Sequence, residues 1–286
     1  MTTSARFTDE CYPQQAGPSC GLPSAGRTLL TLLAAVVALT AGAAHAQERT
    51  ASRPVPDGAA AEHPLQTPIR LARASLKVAE TYQDYEASFA RREQVGTQTY
   101  SSTMKMRFRR KPFSVYLRFL REHDGREVMY VDGRNQNQML AHDTGFRGLF
   151  GTVSLDPTSP TAMAEGRHPI TNIGLENMTS GVISRWEAEM KYDDIEVKYY
   201  PNAKFGGQPC LVIETSHKVR RRGEEFQMTR FYIDRKTNIG FRLQHFGFPQ
   251  GGGQAPLLED YTYSDIRPNV NLTDRAFDPR NPEYDF

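Results

Sequence analysis

Between Met104 and Arg134 apolar and polar residues alternate. Met104, Met106 and Phe108 take turns with Lys105, Arg107 and Arg109, and Phe113, Val115, Leu117 and Phe119 continue the two-residue period. That period puts the apolar side chains on one face of a strand and excludes a helix. Pro112 lacks a backbone donor and suits the junction between two strands, while Asp124-Gly125 and Asp132-Gly133 suit tight hairpin turns. The stretch predicts an antiparallel meander. Tyr85, Ala87 and Phe89 open a strand before it, and Arg134 to Asp143, with Met139 and Ala141 on one side, closes the group. The second half repeats the theme with five strand-like runs: Glu196 to Tyr200, Gln208 to Val219, Glu225 to Asp234, Ile239 to Phe248 and Leu257 to Ile266. Turn residues separate them at Arg222-Gly223, Lys236 to Asn238 and Pro249 to Pro256.

Two stretches carry helical spacing instead. Thr67-Pro68 reads as an N-cap and first turn, followed by Ile69, Ala72, Leu76 and Ala79 on one face to about Glu80. Ile170, Ile173, Leu175, Met178, Val182, Trp186 and Met190 predict a second helix from Thr171 to about Met190, in which Gly174 and Gly181 each cost about 1 kcal/mol relative to alanine. Such a helix depends on packing for its stability. Between the two halves, Gly145 to Pro160 reads as irregular, with Phe146, Leu149 and Phe150 able to serve as a lid, a contact surface or part of the core. A large antiparallel sheet with helices laid on its apolar face has a greasy interior, and function is to be sought there.

The N-terminal part is of another kind. Thr28 to Ala44 is uncharged and follows Arg27, and Ala44-His45-Ala46 fits the small-residue rule for signal peptidase. Residues 1–46 therefore read as a secretory signal, shorter in its apolar run than the roughly 20 residues a spanning helix needs, and the chain is expected in the periplasm or outside the cell. Residues 47–66, rich in proline, alanine and charge, read as a disordered linker. The domain is expected to occupy residues 67–278, with an irregular tail at 279–286 on which Tyr284 plugs the surface as Phe277 does just before it. Cleavage near Ala46 would leave Cys210 as the remaining cysteine, too few for an internal disulfide. A net charge of +2 with both signs interspersed argues against nucleic acid as a partner.

Candidate chemistry is sparse. The mature region has no G-x-S-x-G elbow, no H-x-x-x-H and no C-x-x-C, so neither a hydrolase triad nor a metal site is supported and no cofactor is implied. His123-Asp124 and His142-Asp143 are strand neighbours that point to opposite faces. His168 precedes Pro169 and reads as a structural histidine at a helix start. Glu259, Asp260 and Asp265 bracket Tyr261 and Tyr263, and carboxylate pairs support glycoside cleavage at roughly 5 to 10 Å. The shared face of Glu259, Tyr261, Tyr263 and Asp265 reads as the solvated outer side, with a carboxylate and phenol cavity rim as the alternative. Arg107 to Lys111 and Lys218 to Arg222 are basic runs at hairpin ends. They read as solvated turns, with peripheral contact to an anionic membrane surface as their functional alternative.

The order helix, meander ending in V-x-D-G at Val131 to Gly133, mid-chain helix, and second meander with Tyr232-Ile233-Asp234-x-x-Thr237-x-x-Gly240 resembles the LolA, LolB and LppX group of periplasmic lipoprotein and lipid carriers. Arg167 to Thr171 (RHPIT) and Glu259 to Ile266 (EDYTYSDI) are most similar to an uncharacterised secreted bacterial family, domain of unknown function 1571. The resemblance implies an α+β fold: a curved antiparallel half-barrel of about ten strands, helices covering its concave face, and a cavity for acyl chains without catalytic residues. On that reading the chain is a non-enzymatic carrier of a hydrophobic ligand or lipoprotein acyl chain in the cell envelope. Met104, Met106, Phe108, Val115, Leu117 and Phe119 would wall the cavity, and Met178, Val182 and Trp186 would roof it. The alternative is a solidly packed envelope scaffold that uses residues 145–160 as its contact.

Overall fold

A computed structural model describes residues 62–145 and 151–286. The residues read as a secretory signal, most of those read as a linker, and Phe146, Leu149 and Phe150 lie outside the described residues. The elements are α1 (Gln66–Ala79), β1 (Asp84–Val95), β2 (Gln98–Arg109), β3 (Ser114–Arg121), β4 (Glu127–Val131), β5 (Met139–His142), β6 (Val153–Leu155), α2 (Leu175–Glu189), β7 (Ile195–Phe205), β8 (Gln208–His217), β9 (Phe226–Asp234), β10 (Gly240–Gly247) and β11 (Leu257–Pro268). All strands belong to one 11-stranded sheet ordered β6-β5-β4-β3-β2-β1-β11-β10-β9-β8-β7, and every pairing is antiparallel. Two meanders are thus joined edge to edge where β1 meets β11, with Phe89 opposite Tyr263 and Arg91 opposite Tyr261. The sheet curls without closing into a barrel: β6 and β7 end its order as free edges.

The alternation read from the sequence sorts side chains by face. In β2, Met104, Met106 and Phe108 are at most 4 % exposed, and opposite them stand Phe89, Ala87 and Tyr85 of β1 and Phe119, Leu117 and Val115 of β3. These inner residues form one core with α1 and α2, to which Ile69, Ala72, Val182, Ile183 and Trp186 contribute. A second, smaller core lies on the outer face, where Ala276, Phe277 and Tyr284 cover Tyr116, Met129 and Val131. Tyr284 stacks on Tyr116 at 4.0 Å, and the buried Glu127 carboxylate accepts the Asp285 amide at 2.8 Å. The C-terminal residues are therefore a strap on the convex side.

Several boundaries differ from the sequence reading for local reasons. Leu65 is fully buried and His63 donates to the Tyr192 carbonyl at 3.0 Å, so residues 62–66 already belong to the domain. α1 starts at Gln66 with Leu65 as its N-cap, and Thr67 accepts from Arg70 instead of capping. The mid-chain helix begins at Leu175, not at Thr171. Ile170–Asn172 form one 3-10 turn, and Gly174 has φ +129° at the helix N-cap. There the first helical N–H groups find partners in the sheet, since Gly174 N donates to the Tyr263 hydroxyl at 3.0 Å and Leu175 N to the Tyr85 hydroxyl at 3.1 Å. Part of the 145–160 stretch read as irregular is the edge strand β6, which raises the expected count of about ten strands to eleven.

Candidate functional site

Along β1 and β11 the inner face is apolar toward one end and polar toward the other, because these two strands change character along their length. Tyr85, Ala87 and Phe89 give way to Arg91 and Glu93, and on the partner strand Tyr263 gives way to Tyr261 and Glu259. Over this face residues 151–173 run from β6 back toward α2. Beneath them lies a hollow of about 490 Å³, lined by Phe89, Met104, Leu117, Phe119, Val128, Met139 and Ala141 from the sheet and by Val153, Leu155, Pro157, Ala162, Ile170 and Ile173 from the covering segment. Its volume falls in the range of small-molecule pockets, about 300 to 1,000 Å³. A second hollow of about 400 Å³ lies between α2 and β9 to β11, lined by Met178, Gly181, Arg185, Phe226, Leu243, His245, Glu259, Tyr261 and Tyr263 among others. Phe89, His168 and Ile173 line both hollows, so the 168–173 segment is the partition between them.

The nine residues expected to enclose a cavity separate into groups. Met104, Leu117 and Phe119 line the first hollow and Met178 the second. Met106, Phe108, Val115, Val182 and Trp186 are buried and line neither. Trp186 is fully buried, donates its indole N–H to Thr215 Oγ1 at 3.0 Å and meets the edge of Phe231 at 6.2 Å, so it is part of the packed core and faces neither hollow. The roof of the larger of these two hollows is the 151–173 segment, in which the sequence pattern assigns Ile170 and Ile173 to a helix and residues up to 160 to an irregular stretch.

Ionic contacts pin that roof at two points. On one side Arg126 donates to Asp143 and to Glu165, both at 2.8 Å, and His123 stands 3.2 Å from Glu165. Burial would raise the Glu165 carboxyl, but the Arg126 hydrogen bond and charge outweigh it and hold the group below its ordinary range. On the other side Arg167 donates to Glu259 at 2.6 Å, to Glu225 at 2.5 Å and to the Gln94 carbonyl at 2.9 Å, while its backbone N–H reaches Glu93 at 3.3 Å. His168 lies 3.2 Å from Glu259, Arg91 donates to Glu93 at 3.2 Å, and the Tyr261 hydroxyl donates to Glu93. Glu93 and Glu259 are each 2 % exposed, and buried carboxylates of this kind persist only when saturated with cations and donors. The hydrogen bond to Glu259 raises the His168 imidazole above its usual range. Burial alone would raise Glu259, but His168, His245 and Arg167 together bring it below the usual carboxylate range. Gly166 permits the close approach, since a Cβ there would sit 2.8 Å from the Arg91 guanidinium.

This cluster overturns one expectation. Glu259, Tyr261 and Tyr263 face the interior, not solvent, while Asp260 faces outward and receives Arg242 at 2.9 and 2.7 Å. Asp265, at φ +52°, leaves the shared face and accepts from Ser88. Both carboxylates of the inner cluster are engaged by arginine, histidine and phenol, an arrangement that holds structure and leaves no unpaired acid or base. His168 does not cap a helix; its partner is Glu259. The role of Glu93, Arg91 and Arg126 was missed, although charged residues at inward positions of an alternating strand were the available signal. His245, stacked on Phe226 at 4.2 Å and 6° and bonded through Nδ1 to Thr229 at 3.0 Å, is pushed by burial down to about 3. Cys210 is fully buried and its thiol is pushed up to about 11 by desolvation, which makes it unreactive. Among the described residues no cluster of histidine, cysteine and carboxylate has the geometry to hold a metal ion, and no helix is long and apolar enough to cross a membrane.

The short sequence patterns acquire physical meaning in the fold. Arg167-His168 and Glu259, from two separate patterns, meet at 2.6 and 3.2 Å. In Tyr232-Ile233-Asp234-x-x-Thr237-x-x-Gly240, Asp234 accepts the Lys236 and Thr237 amides and closes the turn into β10, while Gly240 leaves room for the Phe231 ring, 2.1 Å from where a Cβ would stand.

Comparison with solved structures finds low-identity likenesses. The lipoprotein LppX of Mycobacterium tuberculosis shares 12 % identity at TM-score 0.42, covering 72 % of this chain and 98 % of that one. A putative outer membrane lipoprotein-sorting protein domain from Vibrio parahaemolyticus shares 9 % at TM-score 0.34, over 73 % and 95 %. The LolA superfamily protein NE2245 from Nitrosomonas europaea shares 10 % at TM-score 0.29, over 72 % and 97 %. No curated protein matches the sequence. The model of one family, described as protein of unknown function (DUF1571), matches residues 82–286, from the start of β1 to the end of the convex strap, and the chain belongs to that family.

Proposed function

We propose that this protein binds an apolar ligand of acyl-chain type in the 490 Å³ hollow beneath residues 151–173, and that it does so as a non-enzymatic carrier in the bacterial cell envelope. The observation that carries the reading is the division of the concave face. On the α2 side the surroundings of Trp186 are filled by interlocked side chains, and the smaller hollow beside them has Arg185, His245 and Glu259 in its lining. The other side, over β1 to β6, keeps a hollow walled mostly by phenylalanine, methionine, leucine, valine and isoleucine, with Arg91, Arg126, Asp143, Glu165 and His168 also in its lining. Burial of an apolar chain there is favoured at about 25 cal/mol per Å² removed from water, and beyond β6, which pairs with β5, the covering segment is held by the Arg126 and Arg167 contacts.

Titration of the full chain with a dansyl-labelled fatty acid tests the assignment. Saturable, one-to-one enhancement is expected for the wild type. Leu117→Trp, which pushes an indole into the hollow, is expected to weaken binding at least tenfold. Trp186→Ala should cost about 3–5 kcal/mol of stability through the cavity it leaves yet bind the probe like the wild type while folded. Equal binding by wild type and Leu117→Trp would place the probe elsewhere, and no saturable binding by any variant would favour the solidly packed scaffold.

A further inference from the structure

The two basic runs singled out in the sequence have different fates in the fold. In the first, Arg107 is held by Glu86, Glu283 and the Tyr284 hydroxyl, Arg109 by Asp274 and Arg110 by Glu176. Those charges are spent on the convex strap and on α2. In the second, at the β8–β9 turn, Arg221 alone is tied down: it pairs with Asp194, lies 3.8 Å over the Tyr192 ring and stands 3.6 Å from Glu224. The Val219 amide donates to the same Asp194 at 3.2 Å, which fixes the backbone of the turn. Lys218, Arg220 and Arg222 point outward and have no carboxylate partner among the described residues. Between them Val219 is 55 % exposed, more than any other large hydrophobic residue described. The neighbouring β10–β11 tip supplies Phe248, over which Arg220 lies at 5.5 Å, and then runs without charge from Pro249 to Pro256. Of the nearby acids, Glu225 pairs with Arg167, and the Glu224 carboxylate is turned inward, 3.6 Å from Arg221 and without a hydrogen bond of its own among the described residues.

We propose that this paired hairpin tip is a docking surface for an anionic lipid bilayer: Lys218, Arg220 and Arg222 meet the headgroups and Val219 enters the interface. Three cations around an exposed apolar side chain match a lipid surface, whereas nucleic acid binding needs a wider basic field than a chain of net charge +2 presents. The tip also adjoins the interior. Phe226 follows it directly and lines the smaller hollow, and Glu225 bridges to Arg167 of the covering segment. Docking does not depend on the hollow being occupied.

Sedimentation of the full chain with vesicles of phosphatidylcholine alone, and with phosphatidylglycerol added, tests the surface. Each cation is worth about a factor of five near an anionic membrane, so K218E/R220E/R222E is expected to lower partitioning onto the anionic vesicles by about 100-fold or more. Val219→Asp should lower it with the cations intact. A control with the same net charge, K77E/K111E/K236E, alters exposed lysines at other turns and at the end of α1 and should keep most of the binding. Wild-type binding should also fall as salt rises, since the screening length is about 10 Å at 0.1 M. Equal loss in the control, or no preference of the wild type for anionic vesicles, would overturn the proposal.

Discussion

Glu259 is the residue on which the interior's ionic contacts converge, and its surroundings give the fold a specific response to pH. His245 lies 3.9 Å from Glu259, shares the second hollow with Arg185 and His168, and is also within the field of Arg167. Burial holds its folded-state pKa near 3, below the usual 6.5, with those cations adding to the depression and Glu259 opposing it. Between pH 6.5 and 3 the unfolded chain therefore binds a proton that the folded chain refuses, and stability falls on acidification by up to about 1.4 kcal/mol per pH unit. His168 and His217 are shifted the other way, by Glu259 and Glu189, so their contribution is complete below pH 6.5 and declines only as pH rises above it. Carboxylates held below their usual range, Glu165 and Glu259 among them, lose their contribution only near and below their unfolded values of about 4.3. The window from pH 6.5 to about 4.5 thus belongs to His245. Urea unfolding midpoints across that window should decline for the wild type and stay nearly level for His245→Gln; parallel declines would remove His245 as the cause.

Elements were legible where their period was long enough to be read. Ten strands and both helices follow from alternation, turn spacing or helical spacing, because those runs bury one face against a core. β6 was not legible: three residues cannot display a period, and the strand exists because β5 offers it an edge. The start of α2 was misplaced because Ile170 and Ile173 keep helical spacing while sitting in a 3-10 turn and a linker. Gly174 decides the matter by adopting φ +129° with the Phe108 ring 2.9 Å from any added Cβ. Gly174→Ala is accordingly expected to destabilise the protein by about 1–3 kcal/mol, read as a lower urea midpoint at unchanged slope. A neutral effect would mean that α2 can begin earlier than it does here. The Glu259 face illustrates a different limit. Alternation shows that Glu259, Tyr261 and Tyr263 share a side, but only the register of β11 against β1, with Tyr263 opposite Phe89, determines that the side is the inner one.

At the scale of the molecule, the pairing of β1 with β11 converts two local meanders into one curled sheet, and everything proposed about ligand binding depends on that curl. The motif order pointed to the right family and to a half-barrel. Where the free volume lies was not legible, since a buried methionine or tryptophan reads the same whether it packs or lines a hollow. Side chains pack solidly around Trp186 and leave a smaller, partly charged hollow beside α2; the covering segment from Gly151 to Ile173, held by Arg126 and Arg167, encloses the more apolar hollow over β1 to β6. The most direct test is native mass spectrometry of the full chain produced in a bacterial host and recovered from its envelope without denaturation. The account predicts wild-type protein carrying an adduct of acyl-lipid mass that is released by organic extraction and missing from Leu117→Trp. Bare polypeptide mass for the wild type, with nothing in the extract, would contradict it.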